Sequence, residues 1–114
     1  MPQYMLLLYA AEADPAEQAA REAEMPLWTE LYDSLREQGL LVTTGRLHPP
    51  SSATTVRVRN DETDFVDGPF ATTKELLAGY YVLQCADLDE ALKQAARVPL
   101  ARYGSVEVRP VMET

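Results

Sequence analysis

Gly79-Tyr80-Tyr81-Val82-Leu83-Gln84 is apolar or aromatic at nearly every position and too short for a helix, so it reads as a strand. Side chains alternate across a strand, and a run without polar alternation therefore presents apolar groups to both faces of its sheet. Tyr4-Met5-Leu6-Leu7-Leu8-Tyr9 reads the same way. Two such strands need cover above and below.

Between them the chain announces helices. In Asp14-Pro15-Ala16-Glu17, the Asp14 carboxylate can cap free amides, Pro15 suits the first helical position, and Glu17 has capping-box spacing. Pro26 disfavours a helical Met25, which predicts a break and then a helix from about Pro26 to Gln38, closed by Gly39 as a left-handed cap. Leu27, Leu31 and Leu35, with Trp28 and Tyr32 beside them, mark its core face.

Leu40 to Thr44 reads as the next strand and Gly45 to Ser52 as a loop stiffened by Pro49 and Pro50. Thr54 to Arg59 and Thr63 to Val66 form a hairpin around Asn60-Asp61-Glu62, with Arg57 and Arg59 on a wet face. Asp67-Gly68-Pro69-Phe70 is a tight loop, and Thr72 to Leu77 is given one or two helical turns. Asp87 and Glu90 repeat the capping-box spacing before a stripe of Leu88, Ala91, Leu92 and Ala95. Pro99 stops that helix after Val98, and Ser105 to Val111 is the last strand. The skeleton is α+β, a ferredoxin-like βαββαβ with an inserted β-hairpin, in one domain spanning residues 1–114. Its helices can cover one sheet face only, so the expected cover for the other is a second copy of the chain, a homodimer packed sheet against sheet.

Composition narrows the function classes. The 114 residues carry a net charge of −8 and are 46% hydrophobic. Residues 1–40 hold eight acidic and two basic side chains, and residues 41–114 hold ten and eight. Neither half would attract a phosphate backbone or an anionic bilayer, so neither nucleic acid nor membrane is an expected partner. The longest apolar run, Met5 to Ala11, is too short to span a membrane and lacks the basic flank of a signal sequence, which makes the expected location cytoplasmic. One cysteine, Cys85, permits no internal disulfide. With a single histidine, no glycine-rich phosphate loop and no dinucleotide fingerprint, no metal or cofactor is expected.

Asp67-Gly68-Pro69-Phe70-Ala71-Thr72-Thr73-Lys74-Glu75 resembles the signature of the DGPF branch of the YCII-related superfamily, close to DGPFAETKE, with Thr72 in place of the glutamate. The resemblance extends to the YMLLLY strand, Pro49-Pro50 with Thr54 to Val58, Leu77 to Tyr81, and Ala101 to Pro110. It implies a dimeric α+β barrel. YCII-related proteins with a proposed enzymatic role carry a histidine on the first helix and an Asp-Pro pair near the end of the second. Here those positions fall on Trp28 and on Val98-Pro99. Relatives in this branch stand beside extracytoplasmic-function sigma factors, which implies a regulatory or accessory role.

Two functional readings follow. The first is a small-ligand binding or regulatory protein whose pocket lies near the DGPF loop. Arg46, Asp67, Gly68, Pro69, Phe70, Lys74, Tyr81 and Arg109 are its candidate ligand residues, with Phe70 anchoring the loop in the core and the amides of Phe70 to Thr73 free at a short helix start. The alternative is a cofactor-free enzyme acting on a small polar or aromatic substrate, with His48 as acid or base and Asp67 as its partner. Asp67 and Gly68-Pro69 also suffice for a structural turn, His48 for a solvated loop residue, and Cys85 for a buried hydrophobe.

Overall fold

Leu6, Leu83 and Leu35 are almost completely buried, and the elements that carry them define the core. The computed structural model describes residues 1–113. Strand β1 (Gln3–Ala10) is followed by α1 (Pro15–Glu22), α2 (Met25–Glu37), β2 (Leu41–Arg46), β3 (Thr54–Arg59) and β4 (Glu62–Asp67). Then come β5 (Leu76–Gln84), α3 (Leu88–Ala95) and β6 (Ser105–Pro110), with 3-10 turns at Pro50–Ser52 and Pro99–Arg102. The protein is a mixed α+β fold in which β2-β5-β1-β6 form one antiparallel sheet and β3-β4 a separate two-stranded one. None of the helices described is long and apolar enough to cross a membrane.

The local signals act as the residues suggest. Asp14 Oδ1 accepts from the Glu17 amide at 2.8 Å and the Glu17 side chain returns the bond, closing the capping box. That amide bond holds the Asp14 carboxyl below its ordinary value. Asp87 caps α3 through the Glu90 amide, while Glu90 reaches the Ala86 amide, one residue before the cap. Gly39 ends α2 with φ +72°. Asn60 and Asp61 both take positive φ, so two residues turn the hairpin and β4 begins at Glu62.

On β1, Tyr4, Leu6, Leu8 and Ala10 are buried beneath the helices, together with Tyr81 and Leu83 of β5, and Leu31 and Leu35 of α2. The other face carries the half-buried Met5, Leu7, Tyr9 and Tyr80 and the buried Val82, with none of the described helices over it. The extents, 46 × 44 × 18 Å, are those of a plate one sheet and one helix layer deep.

Three expectations need correction. Thr72 to Leu77 is not helical: Leu76 and Leu77 pair with Ala10 and Tyr9 and start β5 early, because an available β1 edge satisfies more backbone than one isolated turn could. Leu27, Leu88 and Leu92 lie outside the core, since α2 and α3 rest on the sheet through narrower stripes, Leu31/Leu35 and Ala91/Ala95. The break before α2 falls at Ala23–Glu24, and Pro26 sits inside the first turn, where its missing amide proton costs nothing.

Candidate functional site

The DGPF loop is built from its glycine. Gly68, at φ +97°, donates its amide to the Ala53 carbonyl at 2.7 Å and accepts from the Thr55 hydroxyl at 2.8 Å. These bonds close the base of the hairpin at a backbone angle that side-chain-bearing residues resist. Asp67 ends β4 opposite Thr54, and its exposed carboxylate has no hydrogen bond or ion pair among the described residues. It does not bond the amides that follow, and no helix start presents the amides of Phe70 to Thr73. Phe70 is 78% exposed, so the ring is no core anchor: the loop runs off the end of the hairpin before the main sheet begins at Leu76. Pro69 and Lys74 are exposed as well, and Gly68 is half-buried.

His48 stands exposed in the loop after β2, one residue beyond Leu47, whose amide bonds the Ala78 carbonyl at 2.9 Å. Nothing among the described residues hydrogen-bonds His48 to Asp67. Arg46 and Arg109 do not converge. Arg46 pairs with Gly79, which lies opposite the buried Leu8, and its guanidinium turns to the helix side, with Nη1 4.0 Å from Met25 Sδ. Arg109 pairs with Met5 on the open face and lies 3.6 Å from Glu107. Register parity puts the two on opposite faces of one sheet. Arg57 and Arg59 face Asp64 and Glu62 across the hairpin.

Tyr81 belongs to the core, where burial raises its hydroxyl pKa and the Thr44 hydroxyl partly offsets that rise. Its neighbour Tyr80 occupies the open face, and its ring lies over Gly45, where a Cβ would fall 2.7 Å from it. Cys85 is buried, and burial, reinforced by Glu90, pushes its thiol up to about 11, the opposite of an activated nucleophile.

Between α2 and the segment after α3 runs an open groove of about 360 Å³, floored by Leu27, Leu31, Val98 and Pro99, with Glu30, Arg97 and Arg102 also lining it. Trp28 packs on the core nearby. Apolar side chains thus occupy the positions matched above to the histidine and the Asp-Pro pair. Among the described residues no group of three or more His, Cys, Asp or Glu could hold a metal ion.

A different cluster escaped the sequence reading. Arg102 Nη2 meets Glu24 Oε1 at 2.6 Å, and the Arg21 guanidinium lies 4.5 Å from the centre of the Tyr103 ring. Glu24 and Arg102 are 78 residues apart, so no local spacing announces them.

The sequence matches the YCII-related domain over residues 3–114. The chain belongs to the YCII-related family. An uncharacterised protein of Rhizobium meliloti (strain 1021) is 48% identical over 77 residues, covering 66% of this chain and 62% of that protein. This YCII-related chain thus spans less than two thirds of that curated relative's length.

Proposed function

We propose that this YCII-related protein is a homodimeric binding or accessory protein for a small polar or anionic molecule, working without turnover. The observation that carries the reading is the sheet face opposite the helices, where Met5, Leu7, Tyr9 and Tyr80 stay half-buried with none of the described helices over them. The strand order β2-β5-β1-β6 fits a ferredoxin-like protomer, and two such faces packed together make a dimeric α+β barrel. The DGPF segment enters β5 at the end of the sheet where Ser105 Oγ donates to Glu75 at 2.8 Å. In the dimer, Asp67, Phe70 and Lys74 then border a cleft with the partner. The acid–base alternative finds less support, because His48 and Asp67 both stand in solvent without contacting each other's polar atoms.

Sedimentation at micromolar concentration tests the dimer, and Leu7→Glu should convert it to monomer by burying a charge at the centre of the interface. A well-folded wild-type monomer of 12.7 kDa overturns it. A thermal-shift screen of metabolite carboxylates and phenols tests binding: a hit should lose affinity in Asp67→Ala, and unchanged affinity removes the loop from the site.

A further inference from the structure

On the helix side of the sheet, charge gathers where α1, the start of α2, the end of β2 and the 3-10 turn Pro99–Arg102 meet. Glu24 joins α1 to α2, its carbonyl accepting from the Leu27 amide at 2.8 Å. Oε1 of its side chain accepts from Arg102, whereas Oε2 is buried and has no donor among the described residues. A carboxylate oxygen removed from water without a donor is costly, and such atoms call for an explanation.

The surrounding cations have donor capacity to spare. Arg21 donates Nη1 to the Ala11 carbonyl at 3.0 Å and stacks on Tyr103. The partner of the exposed Arg46 is the thioether of Met25, a weak acceptor, so its guanidinium fork meets no oxygen acceptor among the described residues. Three guanidiniums against one carboxylate give a local charge of +2 in a chain of net −8. Burial raises the Tyr103 hydroxyl pKa, with Glu24 adding to the rise and Arg21, Arg102 and Arg46 opposing it, so the phenol remains a donor at neutral pH.

We propose that Arg21, Glu24, Arg46, Arg102 and Tyr103 bind a small carboxylate bearing a hydrogen-bond donor on the adjacent carbon, an α-amino or α-hydroxy acid. Arg46 takes the carboxylate in its planar fork, and the Glu24 side chain, a quarter exposed, turns Oε2 out of its buried position to accept from the ammonium or hydroxyl. One group supplies both missing partners. The site is separate from the loop cleft proposed above and depends neither on the dimer nor on Asp67, because it lies on the helix side of the sheet.

Titration of ¹⁵N-labelled protein with L-alanine, L-lactate and propionate at fixed ionic strength tests it, read at the arginine Nε–H signals and the amides of Glu24, Met25 and Tyr103. Alanine or lactate should give saturable shifts at least about tenfold tighter than propionate, as expected for one charged hydrogen bond. A response to alanine alone assigns an ammonium, and to lactate alone a hydroxyl. Arg46→Gln, at an exposed position, should weaken binding about tenfold, and Glu24→Gln should erase the preference over propionate. Arg59→Gln, on the exposed hairpin, should bind normally, which shows that the loss at Arg46 is local to the cluster. The proposal is overturned if neither probe saturates, if propionate binds as well in wild type, or if Arg46→Gln binds unchanged. Should Glu24→Gln not fold, the Arg46→Gln and propionate comparisons still decide.

Discussion

Leu83 in β5 and Phe65 in β4 both occupy apolar positions of strands, yet Leu83 is fully buried and Phe65 is 72% exposed. The hairpin has a clean two-sided pattern. Val56 faces Phe65 and Val58 faces Thr63 on one side, while Arg57 faces Asp64 and Arg59 faces Glu62 on the other. In β5 the helices supply cover for Tyr81 and Leu83. Over the hairpin none of the described elements does so, and an isolated two-stranded hairpin is marginal in water. The difference teaches that alternation marks which face asks for burial but not whether the chain itself provides it.

The sharpest test of the contrast is Leu83→Ala, expected to cost about 2–5 kcal/mol in urea unfolding because the cavity opens where nothing can collapse into it. A loss below about 1 kcal/mol would mean that the core around β5 is loosely packed.

Thiol labelling probes the same contrast by access. At pH 8 Cys85, with its thiol pushed up to about 11, should react roughly a hundredfold more slowly than a free cysteine, from thiolate fraction alone. A cysteine placed by Val58→Cys in a Cys85→Ala background should react freely as a monomer and slow down if a second copy covers the hairpin. The sign of the pH effect follows from the raised value. The folded state holds the Cys85 proton more tightly, so this group's stabilisation is present below about pH 9 and lost as pH rises through about 11. Unfolding midpoints of wild type and Cys85→Ala across that window measure it.

Smallest of all should be Phe70→Ala, within about 0.5 kcal/mol of wild type, since the ring has little burial to lose. Phe65→Ala should match it in a monomer. A markedly larger, concentration-dependent loss for either would show that the hairpin or its loop packs on a partner.

Much of the scaffold was legible because its causes are local. Asp14, Asp87, Gly39 and Asn60-Asp61 set caps and turns through bonds to residues within four positions, and the apolar runs of β1 and β5 declared central strands. The candidate site was much less legible. Asp67, Gly68 and Phe70 are contiguous in a motif that resembles a family signature, but the motif itself does not say whether Phe70 points inward.

Length, acidity, the βαββαβ order and the demand for cover on both sheet faces were determined by the sequence itself, because periodicity and capping act over a few residues. Only the tertiary structure decided that Arg46 and Arg109 part company, that Thr72 to Leu77 joins the sheet, and that Glu24 meets Arg102 across 78 positions. These outcomes depend on strand register and on which segments compete for one edge, and both are settled by the packing of the whole chain.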